Sequence, residues 1–116
     1  MLTLYGIPNC NTMKKARAWL DSQALPYRFH DYKKAGVDPQ LLKAWSDQLG
    51  WEALINRRGT TWRRLPQAER ENLSLESALL LMQANPSVIK RPILARADLL
   101  LLGFDEDHWR NHLLQD

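Results

Sequence analysis

The residue best suited to chemistry in this chain of 116 residues is its one cysteine, Cys10. A turn signal at residues 6–9 precedes it, and a segment with helical spacing follows. At the start of a helix, free backbone N–H groups and the helix dipole favour a thiolate. Lys14, Lys15 and Arg17 add positive charge within two turns. Since such surroundings lower the pKa of a cysteine, Cys10 is predicted to be a catalytic nucleophile.

An inert cysteine is the alternative, because free cysteine often packs in a core as a small apolar side chain. The site also has only one sulfur that can react. Met13 stands three residues after Cys10, where a Cys-x-x-Cys pair would carry its second thiol. An external thiol must therefore complete any redox cycle. Glutathione is the predicted co-substrate because its two carboxylates suit arginine partners, and no bound cofactor is predicted.

Basic residues are unevenly distributed in a chain of net charge +3 and pI near 9.2. They form a run of four arginines within eight positions and a later pair, namely Arg57, Arg58, Arg63 and Arg64, then Lys90 and Arg91. Such runs are either solvated surface or an anion site, for which the guanidinium fork is well shaped. Nucleic acid is a weaker third option, since no nucleic-acid-binding motif is present.

Several classes of protein are disfavoured. No apolar run reaches the roughly 18 residues of a membrane span, and residues 1–10 do not resemble a signal peptide. With one cysteine there is no internal disulfide, so a reducing cytoplasm is the expected location. His30, His108 and His112 are too scattered to predict a metal site.

The elements that must position Cys10 begin with a strand at residues 1–5 and a helix at 12–22. Asn11 or Thr12 is expected near the N-cap of this helix. A second strand at 26–32 completes a strand–helix–strand unit, which normally makes a right-handed parallel crossover. Helices are predicted through the middle of the chain, with Asp38 and Ser74 as N-caps and Gly50 as a stop.

Strands return in the last third of the chain, at residues 92–95 and 99–102, followed by a helix capped by Asp105. The predicted architecture is α/β: a mixed four-stranded sheet in the order βαβ…ββα. This is the order of a thioredoxin-like fold with a helical insertion between strands 2 and 3. We expect a single domain over residues 1–116, with the insertion at about 36–86.

Four segments resemble the arsenate reductase (ArsC)/Spx family. Residues 5–16, YGIPNCNTMKKA, resemble its opening, residues 54–63, LINRRGTTWR, resemble its characteristic loop, and residues 89–94, IKRPIL, resemble its arginine–proline element. Leu102-Gly103-Phe104 before an acidic helix resembles its end. The resemblance runs almost end to end and is closest to the small YffB-type proteins.

This resemblance implies a thioredoxin-like fold with Cys10 as the nucleophile. It implies a cis peptide bond before Pro92, and an oxyanion-binding role for Arg91. Arg57 is the preferred loop arginine, with Arg58 as the alternative one place away. The predicted anion-binding set is completed by Asn11 and Thr12.

The function predicted on these grounds is a glutathione-dependent thiol–disulfide or oxyanion reductase. Cys10 would attack a small anionic or thiol substrate, and glutathione or a glutaredoxin would regenerate the thiol. One alternative is a Spx-like transcriptional regulator that binds RNA polymerase. Another is an arsenate reductase.

Overall fold

The computed structural model describes residues 1–114. Two compact units make up the chain: the second is Tyr32–Lys90, and the first consists of the segments before and after it. The elements of the first unit are β1 (Leu2–Gly6), α1 (Asn11–Ser22), β2 (Tyr27–Asp31), β3 (Ile93–Arg96), β4 (Leu99–Leu102) and α8 (Glu106–Leu113). The elements of the second unit are α2 (Tyr32–Ala35), α3 (Pro39–Leu49), α4 (Trp51–Leu54), α5 (Thr60–Arg64), α6 (Gln67–Arg70), α7 (Leu75–Ala84) and a 3₁₀ turn at Pro86–Val88.

A mixed four-stranded sheet organises the first unit, with strand order β2-β1-β3-β4. β1 is parallel to β2 and antiparallel to β3, and β3 and β4 form an antiparallel hairpin. The parallel pair requires a crossover, which α1 supplies. The predicted thioredoxin-like α/β fold is therefore confirmed.

The core of this unit lies where α1 and α8 cover the sheet. On α1, Met13, Ala16 and Leu20 recur at a spacing of three and four residues and are fully buried. They share one apolar cluster with Leu4 of β1 and Trp109 of α8. Burial of this stripe holds α1 against the sheet and so sets where the first residue of the helix lies.

The second unit is helical, with α3 packed against α4 and α7. The predicted N-caps Asp38 and Ser74 and the predicted stop at Gly50 are confirmed. The Asp38 carboxylate accepts a hydrogen bond from the Gln40 amide at 2.9 Å, and Ser74 forms a reciprocal capping box with Ser77. Gly50 ends α3 with a φ of 85°, a conformation that other residues adopt only at a cost.

Some boundaries differ from the sequence-based expectation. Tyr32 begins α2 rather than ending a strand. α5 begins at Thr60, within the segment 54–63 that resembles the family's characteristic loop. The second unit extends a few residues beyond the expected insertion at each end. In the hairpin, Arg96 is the last residue of β3 and pairs with Leu99, so Ala97 and Asp98 make the turn. Within residues 1–114, no helix combines the length and apolar composition that crossing a bilayer requires.

Replacing the α8 cap should destabilise the first unit measurably. The Asp105 carboxylate accepts a hydrogen bond from the His108 amide at 3.0 Å. We expect Asp105→Ala to lower the free energy of unfolding by about 1 kcal/mol, as N-cap losses typically do. Urea denaturation measures the effect. Asp107→Ala, in the first turn of the same helix, should cost less because it removes charge without removing a cap. Equal losses in the two variants would contradict the capping role.

Candidate active site

Cys10 is the N-cap residue of α1, four residues beyond the end of β1. Its backbone is extended, with φ −141° and ψ 130°. Its amide donates to the Pro8 carbonyl at 3.0 Å, and its carbonyl accepts the first helical hydrogen bond from the Lys14 amide at 3.0 Å. The expectation that Asn11 or Thr12 caps the helix is therefore wrong, since α1 already includes both residues.

The sulfur of Cys10 lies half-buried among donors that favour its ionised form. Partial burial is the largest single influence and raises the pKa of the Cys10 thiol, because a charge is less stable away from water. A hydrogen bond from the Met13 amide, another from the Arg91 guanidinium and a third from the Thr12 amide lower this pKa, and the positive charge of Arg91 lowers it further. Together they outweigh burial, so the pKa of the Cys10 thiol lies below its ordinary value.

Ionisation of Cys10 and capping of α1 are coupled. A helix N-terminus has backbone amides without intrahelical partners, and an N-cap side chain normally satisfies them. A neutral thiol is a weak acceptor, so it satisfies these amides poorly. The thiolate accepts from the Met13 and Thr12 amides. Losing the proton therefore completes the cap.

The lysines and arginine on α1 do not supply the charge that acts on the sulfur. Lys14 and Lys15 are exposed to solvent, where water and salt screen their charge. The Arg17 Nε donates to the Tyr27 hydroxyl at 3.1 Å, and the guanidinium lies 4.4 Å from the centre of the Phe29 ring. The expectation that these three residues activate Cys10 is therefore wrong. Among the described residues, the charged side chain that acts on the sulfur comes from the segment before β3.

That segment contains Arg91 and Pro92, joined by a cis peptide bond, as the family resemblance implied. Pro92 is buried, and its carbonyl accepts a hydrogen bond from the Gly103 amide at 2.8 Å. Ile93 follows and pairs with Tyr5 of β1, near the C-terminal end of that strand. Because β3 lies beside β1 in this register, Arg91 lies close to the turn that leads to Cys10.

The other predicted anion-binding residues of α1 have different surroundings. Asn11 is exposed as the first residue of the helix, and Thr12 is half-buried. Thr12 acts on the sulfur through its backbone amide. Anion binding by the two side chains stays a prediction.

Arg57 and Arg58 belong to the second unit, and both are exposed. The Arg57 guanidinium lies 5.6 Å from the ring centre of Trp62. The Arg58 amide donates to the Asn56 side-chain oxygen at 3.1 Å, and its carbonyl accepts from the Arg63 guanidinium. These contacts order the loop that carries both arginines. Anion binding by Arg57, with Arg58 as the alternative, stays a prediction.

The Met13 amide lowers the pKa of the Cys10 thiol, and the sequence analysis did not predict this role. Met13 attracted attention only because it stands where a second cysteine would be. A rule for helix starts would have identified it. N-cap side chains accept hydrogen bonds from the amides two and three residues further on. With Cys10 as the N-cap, these amides belong to Thr12 and Met13.

The lowered pKa of Cys10 predicts how stability depends on pH. Between the folded and the ordinary pKa, the unfolded chain binds more protons than the folded chain, so the free energy of unfolding rises with pH there. This contribution is complete above about pH 8.5, the ordinary cysteine pKa, and is lost as pH falls through the folded value. Urea denaturation of the protein and of Cys10→Ser across this range should show a difference that grows with pH. A flat difference would contradict a lowered pKa.

Comparisons with known proteins agree with this site and fold. A model of the ArsC family matches residues 5–112. A solved YffB protein structure is 45% identical, with a TM-score of 0.94, and the match covers 97% of this chain and 99% of that chain. The structure of an arsenate reductase (ArsC) related protein from Brucella melitensis is 47% identical, with a TM-score of 0.76, and the match covers 96% of this chain and 92% of that chain.

Another relative is named as a transcriptional regulator rather than as a reductase. The global transcriptional regulator Spx of Enterococcus faecalis is 34% identical over 118 aligned residues, which cover 100% of this chain and 89% of the relative. The family match and the structure related to arsenate reductase support a role like that of a thiol or oxyanion reductase. With the family model spanning nearly the whole length, the chain belongs to the ArsC family, as its sequence motifs predicted.

Proposed function

We propose that this protein is a glutathione-dependent thiol–disulfide reductase that works through Cys10. The observation that supports it best is a sulfur at a helix start, facing two backbone amides and the Arg91 guanidinium. These donors favour the thiolate, which is the nucleophile in thiol–disulfide exchange. The chain has no second cysteine, so the reducing equivalents must come from another molecule.

The proposed cycle has two exchange steps. The Cys10 thiolate attacks one sulfur of a mixed disulfide between glutathione and a substrate thiol. A bond forms between Cys10 and the glutathione sulfur, the old disulfide bond breaks, and the substrate leaves as a thiolate that takes a proton from water. A second glutathione thiolate then attacks the glutathione sulfur on Cys10. This step releases glutathione disulfide and regenerates the Cys10 thiolate. Over the cycle the substrate sulfur is reduced to a thiol, and one free glutathione thiol is oxidised as it joins the glutathione taken from the substrate.

Arg91 has two proposed roles in this cycle. Its guanidinium stabilises the Cys10 thiolate before attack, and the same charge favours a substrate that carries carboxylates. Glutathione carries two. Arg57, in the second unit, is a separate candidate for carboxylate binding, and its exposed guanidinium lies against Trp62.

Mass spectrometry after incubation with glutathione disulfide tests the proposal. We expect one glutathione to be added to Cys10, to be removed by excess reduced glutathione, and to be absent from Cys10→Ser. A reductase assay on a glutathionylated peptide should show turnover with glutathione and loss of at least about a hundredfold in Cys10→Ser, because serine is a far weaker nucleophile at neutral pH. A protein that adds no glutathione at Cys10 would exclude this cycle.

A second candidate is the reduction of an oxyanion such as arsenate. The support is the Brucella melitensis structure, which is named as related to arsenate reductase. The same thiolate would attack the oxyanion, and Arg91 would hold its oxygens. An arsenate-reduction assay with glutathione and glutaredoxin separates this function from the first.

A third candidate is a regulator that binds RNA polymerase. The support is the whole-length similarity to a protein named as the transcriptional regulator Spx. A pull-down with purified RNA polymerase distinguishes it: binding that survives in Cys10→Ser would favour an adaptor over an enzyme.

A further inference from the structure

Gly6 ends β1 and is buried, but its backbone conformation does not require glycine. The glycines with positive φ in residues 1–114 are Gly36, Gly50 and Gly103. Gly6 pairs with Asp31 of β2 in regular parallel register. Any residue could adopt this strand conformation, so the reason for a glycine must lie in the space around it.

The space that a side chain would need at Gly6 is filled by Met13. A Cβ atom built on Gly6 would lie 2.5 Å from the Met13 Sδ, 2.7 Å from its Cε and 3.5 Å from its Cγ. The first two separations are far shorter than a van der Waals contact. Met13 is fully buried in the apolar cluster between α1 and the sheet, so its side chain has no solvent to move into. A side chain at Gly6 must therefore displace the end of the Met13 side chain.

A shift of Met13 would reach the reacting sulfur, because Met13 is the third residue of α1. Its amide is one of the donors that lower the pKa of the Cys10 thiol. We propose that Gly6 is a positioning residue for Cys10. By leaving room for the buried Met13 side chain, it keeps the Met13 amide directed at the sulfur. The inference rests on the proposed role of Cys10 as the reacting thiolate.

The contact between Gly6 and Met13 also concerns why the site has one thiol and not two. Position 13 is where a Cys-x-x-Cys pair would have its second sulfur, and here a long thioether side chain fills the space against the glycine. Gly6 and Met13 therefore form a matched pair. The matched pair supports the thiolate through the backbone and provides no internal thiol to resolve a disulfide.

The test is the pH dependence of Cys10 alkylation by iodoacetamide. Arg91 is the charged group that acts on the sulfur and is kept in every variant. In Gly6→Ala we expect the titration midpoint to move upward and alkylation at pH 6 to slow about threefold to tenfold, since fewer sulfurs are ionised. Adding Met13→Ala to Gly6→Ala removes the clash, so the midpoint should return towards that of Met13→Ala alone. Leu20→Ala, a buried truncation at the other end of α1, controls for lost stability and should leave the midpoint unchanged.

Each outcome decides the inference. A folded Gly6→Ala protein with the original midpoint overturns it. If Gly6→Ala does not fold, the double variant decides: folding restored by Met13→Ala supports the matched pair, and failure of the double variant overturns it. Because alkylation needs no substrate, the result is independent of the proposed reductase activity. A raised midpoint in a protein that never accepts glutathione would leave this inference standing and exclude the proposed function.

Discussion

Arg91→Ala is expected to slow the alkylation of Cys10 at pH 6 by about threefold to tenfold, and to raise the midpoint of its pH profile. The variant removes both a hydrogen bond to the sulfur and the positive charge that lowers the pKa of the Cys10 thiol. Hydrogen bonds to charged groups contribute about 1.5 to 3 kcal/mol, and each 1.4 kcal/mol changes the ionised fraction about tenfold. The rate falls by less than this, because a thiolate of higher pKa is more nucleophilic.

Two matched variants separate the contributions at Arg91. Arg91→Lys keeps a positive charge but loses the planar fork, so its midpoint should fall between those of the original protein and Arg91→Ala. Arg96→Ala removes an exposed arginine from the far end of β3 and should change nothing at the sulfur. An unchanged midpoint in Arg91→Ala would show that the amides of α1 suffice to activate Cys10. Glutathione addition to Cys10 should weaken in Arg91→Ala in parallel with alkylation.

Trp109→Ala is expected to be the most destabilising of the substitutions considered, with a loss of about 3 to 5 kcal/mol in the free energy of unfolding. Trp109 is fully buried, and its indole N–H donates to the Gly103 carbonyl at 3.0 Å. Its ring meets Phe104 edge to face at 4.9 Å between centroids and Trp19 at 6.1 Å. Truncation would leave a large cavity and an unpaired carbonyl in the cluster that holds α1 and α8 to the sheet.

Urea denaturation measures this loss of stability, and two further variants serve as comparisons. Trp109→Phe keeps most of the apolar volume but loses the hydrogen bond, so it should cost less than Trp109→Ala. Asn111→Ala, exposed on the same helix, should change the free energy of unfolding by less than about 0.5 kcal/mol. If Trp109→Ala cost no more than Asn111→Ala, α8 would not be an essential part of the core.

The site combines one sulfur with donors from two places that are distant in the chain. The amides of Met13 and Thr12 come with the first turn of α1, and Arg91 comes with the segment before β3. The core cluster that contains Met13 and Trp109 holds these segments in one unit. Stability and thiol reactivity are therefore linked through Met13. Its side chain packs in the core, and its amide lowers the pKa of the Cys10 thiol.

Local sequence determined the parts of this protein that depend on neighbouring residues. The turn before Cys10 and the helical spacing after it identified a cysteine at a helix start. Asp38, Ser74 and Asp105 were predicted as N-caps and are N-caps, because a cap bonds to amides two or three residues away. The motifs also predicted the family and the thioredoxin-like sheet, which need only the order of elements.

Only the tertiary structure decided which charge acts on the sulfur. By sequence distance, Lys14, Lys15 and Arg17 were the nearest cations, yet they point to water or to aromatic rings of the sheet. Arg91 acts on Cys10 because β3 pairs with β1, which places Ile93 opposite Tyr5. Its place was expected from family motifs alone, since composition and periodicity carry no information on strand register. The reason for a glycine at position 6 could not be inferred from the sequence either, because the contact with Met13 exists only once α1 packs on the sheet.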